Sequence, residues 1–137
     1  MNLHAYLYFD GQCEEAFRFY ADLLGGEPDL MTYDQAPEGP GGPSDAWKGR
    51  ILHARLSVGT TTLLGSDIPA WDDYQAPDGI RVTLELDDPD EAERIYDALR
   101  KQGTVDLELE STFWAERFAM VTDRFGIPWM INCPRTQ

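Results

Sequence analysis

The sequence predicts an α+β fold of two tandem βαβββ modules, and three observations carry that prediction. A helical motif occurs twice: Glu15-Ala16-Phe17-Arg18-Phe19-Tyr20 and Glu91-Ala92-Glu93-Arg94-Ile95-Tyr96 share the pattern Glu-Ala-x-Arg-(Phe or Ile)-Tyr. The order of strand-like and helix-like segments around the motif is the same in both halves of the 137-residue chain. The strand segments alternate with period 2, whereas the motif segments carry apolar residues at helical spacing. A repeated unit that does not close its own core buries its face against its twin.

The first module covers about residues 1–67. "LHAYLYF" (3–9) is short, aromatic and largely apolar, as a strand requires. "FDG" turns the chain. Ala16, Phe19, Tyr20, Leu23 and Leu24 then fall at i, i+3, i+4, i+7 and i+8, one apolar helical stripe. Gly25-Gly26 stops the helix, because glycine accepts the left-handed conformation at a C-cap. "EPDLMTY" (27–33) reads as a strand, and "RILHARLSVG" (50–59) with "TTTLLGSD" (60–67) as a hairpin. Between them, "DQAPEGPGGPSDAWKG" (34–49) holds three prolines and four glycines and is a loop. Its length exceeds that of ordinary connections, which leaves a lid over a cleft, a dimer contact or disorder as readings. Trp47 near its end marks part of it for docking.

The second module covers about residues 79–137, within a single domain of 1–137. "GIRVTLELDD" (79–88) sets Ile80, Val82, Leu84 and Leu86 on one face and Arg81, Thr83 and Glu85 on the other. Asp88 is placed as N-cap, Pro89 at the first helical position and Glu91 three residues after the cap. Ala92, Ile95, Tyr96 and Leu99 form the stripe, and Gly103 ends the helix. "TVDLELES" (104–111), "RFAMVTD" (117–123) and "IPWMINC" (127–133) complete the module. Aligning Leu7 with Leu84 sets His4 opposite Arg81.

Charge and composition exclude several classes of partner. Twenty-five acids against 11 bases give a net charge of −14. A nucleic-acid partner needs a basic footprint, and an anionic membrane surface needs the same; neither is visible. No apolar stretch reaches the ~18–20 residues that span a bilayer, and no secretory signal pattern opens the chain. Cys13 and Cys133 have neither metal-type spacing nor a CxxC pattern, so both read as packing residues of a reduced, cytoplasmic protein.

The segments "AYLYFDGQCEEAFRFYADLLGGE", "ILHARLSVGTTTLLGSD", "LDDPDEAERIYDAL" and "TFWAERFAMVTDRFGIPWMINC" span nearly the whole chain. In that order they resemble the vicinal-oxygen-chelate superfamily of glyoxalase I, bleomycin-resistance proteins and extradiol dioxygenases, and more narrowly its PhnB-like branch. The Asp-Arg-Phe-Gly-x-Pro-Trp run (123–129) is the most specific carrier. Members usually have glycine where this chain has Ala115 and Ala119. The resemblance implies a glyoxalase-like curled mixed sheet around a cleft, helices outside, and a homodimer. Some PhnB-like sequences carry a methyltransferase label. No Gly-x-Gly turn between strand and helix is present here to hold a methyl donor.

Superfamily enzymes hold a divalent metal with His, Glu or Gln on inward strand faces. Carried over, those positions are His4, Leu64, Arg81 and Met130, of which only His4 is a metal ligand. A catalytic site needs about three protein ligands and an open position. A site without metal or other cofactor is the expectation, with Glu85 or His53 as the residues that would rebuild a displaced one.

Strand alternation turns His4, Tyr6 and Tyr8 toward the cleft; on the third strand Leu52, Ala54, Leu56 and Val58 form the apolar row, which leaves His53, Arg55 and Ser57 on the opposite, cleft-facing side. Arg81, Thr83 and Glu85 come from the fifth strand and Met130 from the last, with Trp114 and Arg117 closing the site. This set suits a small, flat or anionic ligand held by Arg55 or Arg81 and stacked on Tyr6 or Trp114. Structural readings stand beside it: His4 at an exposed strand end, Arg81 paired with Glu85 or a neighbouring strand, Trp114 as a cap on the core. The leading functional expectation is a small-molecule-binding protein. The alternatives are an enzyme with His4 or His53 as general base, or a structural or regulatory dimer with a vestigial cleft.

Overall fold

The computed structural model describes residues 1–35, 48–69 and 72–135. The chain separates into two compact units, Met1–Gln75 and Ala76–Gln137.

In the first unit, β1 (Ala5–Phe9) leads into α1 (Cys13–Leu24), β2 (Asp29–Thr32), a 3-10 turn at Tyr33–Gln35, β3 (Ile51–Val58) and β4 (Thr61–Asp67). The sheet order is β1-β4-β3-β2, with β1 parallel to β4 and the other pairs antiparallel. The parallel pair places the first and last strands side by side, and α1 covers the face bearing Leu7, Phe9, Ala54 and Leu56. In the second unit, β5 (Val82–Glu85), α2 (Pro89–Arg100), β6 (Thr104–Glu110), β7 (Ala115–Thr122) and β8 (Pro128–Pro134) repeat the plan. Their order is β5-β8-β7-β6, again with one parallel pair. These are two four-stranded mixed sheets, each with one helix: the βαβββ unit twice. Leu7 pairs with Gly65 across the parallel pair of the first sheet, and Leu84 with Ile131 across that of the second.

Two buried aspartates organise the turns. Asp67 accepts the Cys13 N–H at 3.0 Å and the Ile51 N–H at 2.9 Å, although it is 1% exposed. It thereby caps α1 from 54 residues away, where the local cap residue Gln12 makes no side-chain bond. Asp123 does the same for the β7–β8 turn. One oxygen accepts the Phe125 and Ile127 N–H groups and the other accepts the Trp129 indole N–H at 2.8 Å. Gly126 sits at φ 88° in this turn. The Asp-Arg-Phe-Gly-x-Pro-Trp run is thus a structural device: its carboxylate accepts two backbone donors of the tight turn and the buried indole N–H.

Four details differ from the sequence expectation. The buried stripe of α1 is Cys13, Ala16, Phe17, Tyr20, Ala21 and Leu23, and Phe19 is half-buried. Phe17 wins the inner position because Gly65 has no side chain. A Cβ there would stand 2.7 Å from Phe17 Cε1. On β3, Ile51 takes the core place expected for Leu52. The register with β2 slips between Met31 and Thr32, and such a bulge turns one residue to the other face. The left-handed residue after α2 is Gln102 (φ 59°), whereas Gly103 lets the chain press against the Thr122 carbonyl. The fifth strand is shorter than read, Val82–Glu85. Asp88 does cap α2, accepting the Asp90 N–H at 2.9 Å. Trp47 and most of the 34–49 loop (36–47) lie outside the described residues.

Candidate functional site

Each sheet has one face under its helix and one open face, and the open faces carry the candidate residues. On the first, β1 alternation puts Tyr6 and Tyr8 opposite the buried Leu7 and Phe9. Tyr6 pairs with Leu64, Leu64 with Arg55 and Arg55 with Asp29 across the four strands, while Tyr8 pairs with Ser66. The rings of Tyr6 and Tyr8 lie 5.1 Å apart and those of Tyr6 and His53 6.0 Å apart. A cavity of about 530 Å³ opens here, lined by Tyr6, Tyr8, Tyr33, Leu52, Ser66, Ile68, Pro69, Asp72, Asp73 and Gln75.

The Tyr33 hydroxyl donates to the Asp67 carbonyl at 3.5 Å. Burial pushes its phenol up, with the Tyr6 phenol and Asp67 adding and Arg50 opposing, so it stays neutral at physiological pH. Arg50 does not line the cavity; it bonds to Asp10 and to the Ile68 carbonyl. Tyr33, Leu52, Asp72 and Asp73 escaped the sequence reading because a 3-10 turn, a bulge and a loop place them. Ser66 was legible, since it shares the parity of Leu64 on β4.

On the second open face a cavity of about 640 Å³ gathers Arg81, Thr83, Asp106, Thr122 and Met130. Arg81 donates to Asp106 at 3.1 Å and to the Trp129 carbonyl at 3.2 Å. Thr122 donates to the same Asp106 oxygen at 2.7 Å. Strands ~4.8 Å apart would leave β5 and β6 about 14 Å apart in a flat sheet of this order, so the ion pair requires strong curl. Asp106 reaches it from a β6 bulge between Val105 and Leu107. Glu85 accepts the Asn132 amide at 3.2 Å. Trp114 packs edge-on against Phe113 and Phe118.

Within each module some of the predicted residues come together. Tyr6 and His53 meet in the first module, with Arg55 exposed on the same face and His4 exposed just before β1. Arg81, Thr83 and Met130 meet in the second. Arg117 belongs with neither: it shares the parity of the buried Ala119 and Val121, and pairs with Glu93 of α2 at 3.0 Å on the helix side. Glu85 and Trp114 lie off the Arg81 cavity. Cys13 and Cys133 are buried without a disulfide, and burial pushes both thiols up.

The superfamily's metal donors do not fit this chain. The parallel pairs put Tyr6 beside Leu64 and Thr83 beside Met130, and the Arg81 guanidinium is held by Asp106. Among the described residues, no three His, Cys, Asp or Glu side chains cluster as ligands. No described helix is long and apolar enough to cross a membrane.

The chain is 33% identical to protein YjdN of Escherichia coli K12, over 100% of this chain and 98% of that one. It superimposes on protein PA1353 of Pseudomonas aeruginosa with a TM-score of 0.91 at 41% identity, covering 99% of each chain. A PhnB protein from Bacillus cereus, described as a putative 3-demethylubiquinone-9 3-methyltransferase, shares the fold at TM-score 0.77 and 18% identity (97% of this chain, 99% of that one). The family model for the glyoxalase/bleomycin resistance protein/dioxygenase superfamily matches residues 2–131. By that match, and by the doubled βαβββ topology, the chain belongs to the glyoxalase/bleomycin resistance protein/dioxygenase superfamily.

Proposed function

We propose that the chain binds a small organic molecule in the tyrosine-lined cavity of its first module, without a superfamily-type divalent metal. The observation that supports this reading is the cavity itself. Its volume of about 530 Å³ lies in the range of small-molecule sites, and its wall combines aromatic and aliphatic surface with a few polar groups. The donor positions that would make the site a metal centre hold Leu64, Arg81 and Met130 instead, and neither thioether nor guanidinium is a ligand for a hard divalent ion. A homodimer, common in the superfamily, and a cytoplasmic location that keeps both thiols reduced complete the proposal.

Two measurements test it. Elemental analysis of protein purified without chelator is expected to find far less than one metal per chain; stoichiometric zinc, nickel, manganese or iron overturns the metal-free reading. Thermal-shift screening against a small-molecule panel is expected to give ligands that raise Tm, since they bind only the native state. Their shift is expected to vanish in Tyr6→Leu and persist in Arg81→Ala. The opposite pattern moves the site to the second module.

A further inference from the structure

Arg55 and Arg81 make an anionic ligand the expectation from the sequence. The cavity points the other way. No described basic residue lines it, whereas Asp72 and Asp73 both do. Neither carboxylate is in an ion pair among the described residues. Asp72 is fixed by a turn in which its N–H donates to the Pro69 carbonyl at 3.0 Å. One of its oxygens accepts the Asp73 N–H at 2.9 Å, and the other has no hydrogen-bond partner among the described residues.

The same cavity is lined by Tyr6, Tyr8 and Tyr33, and an aromatic ring carries the negative end of its quadrupole on its face. A second feature of the wall is independent of the carboxylates. Ser66 is only 5% exposed, lines the cavity, and its hydroxyl has no hydrogen-bond partner among the described residues. Among the described residues the sealed, unpartnered side-chain oxygen is Asn132 Oδ1, so the Ser66 hydroxyl still meets solvent on the cavity side and is open to a ligand group. An anion entering here would meet two carboxylates and no basic side chain among the described lining residues, on a chain of net charge −14.

Resting on the small-molecule reading above, we infer that this cavity selects an organic cation: an amine or quaternary ammonium whose charged head lies between the tyrosine rings and the Asp72 and Asp73 carboxylates. The Ser66 hydroxyl is placed to bond to a polar substituent, and Leu52 to cover an apolar one.

The test compares three probes of similar size and different charge: benzyltrimethylammonium, benzyl alcohol and benzoate. Binding is read by calorimetry and by the tyrosine ring resonances. Benzyltrimethylammonium is expected to bind, to shift the rings of Tyr6, Tyr8 and Tyr33, and to bind at least about tenfold tighter than either other probe. Asp72→Asn/Asp73→Asn is expected to reduce that affinity by about fivefold or more, with Tm unchanged because both residues are exposed. Equal or tighter binding of benzyl alcohol or benzoate in this cavity overturns the cation assignment and leaves the small-molecule reading standing. Unchanged ammonium affinity in the double variant overturns the role of the carboxylates. Tyrosine resonances unmoved by all three probes overturn the inference and remove the cavity from the functional proposal as well.

Discussion

At the scale of single residues, the two buried aspartates carry more consequence than any exposed charge. Asp123 accepts three hydrogen bonds at 2.8–3.0 Å in the β7–β8 turn. Asp123→Ala would strand the Phe125 and Ile127 amides and the Trp129 indole, at a cost of about 3 kcal/mol or more. Urea unfolding should show this as a lower midpoint with an unchanged slope; a midpoint within error of wild type would refute the assignment. The exposed pairs Arg18–Glu14 and Arg94–Glu91 are worth only a few tenths of a kcal/mol each. The buried thiols set a pH dependence. Burial raises the Cys13 pKa above its ordinary value of about 9.0, with Asp67 and Glu14 adding to the effect. The native chain then holds a proton that the unfolded chain has lost. This stabilisation is complete below about pH 9 and is lost as pH rises further. Tm measured from pH 8 upward should fall more steeply in wild type than in Cys13→Ala. Parallel curves would show that the thiol does not contribute.

At the scale of elements, two glycines position the helices through close approach. Gly65 receives Phe17 of α1, and Gly103 lets the end of α2 press on the β7 backbone. Alanine at Gly65 would drive Phe17 or the Leu7 carbonyl away, and overpacking of this kind costs about 1–3 kcal/mol. Gly65→Ala should therefore lower stability despite alanine's smaller backbone entropy loss, and a stabilised variant would show that the helix moves freely. The Asp88 cap on α2 is a milder contribution. Asp88→Ala should cost about 1 kcal/mol in chemical denaturation, with the fold retained.

At the scale of the whole molecule, duplication preserved the scaffold and diversified the sites. Tyr6 and Thr83 occupy equivalent positions, as do Leu64 and Met130, yet one open face is aromatic and acidic while the other holds the Arg81–Asp106–Thr122 cluster. The net charge of −14 adds self-repulsion to the folded state. Raising NaCl from about 20 to about 300 mM shortens the screening length several-fold and should raise Tm by a few degrees. A flat or falling Tm would mean that the acidic side chains are spread too widely to repel.

The sequence by itself determined the element order, the repeat and its register, and the core faces of most strands, because period-2 and period-3.6 hydropathy is written locally along the chain. It also determined the family, through the Asp-Arg-Phe-Gly-x-Pro-Trp run, whose physical basis is a self-contained turn around Asp123. Which residues line each cavity is a matter of tertiary structure. Asp106 and Leu52 reach their cavities through bulges, and a bulge reverses the face that alternation assigns. Arg81 is committed to Asp106, 25 residues further along the chain, and Arg117 to a helix on the opposite side of its sheet. Charge pairing of this kind depends on sheet curl and strand order, which no local pattern records.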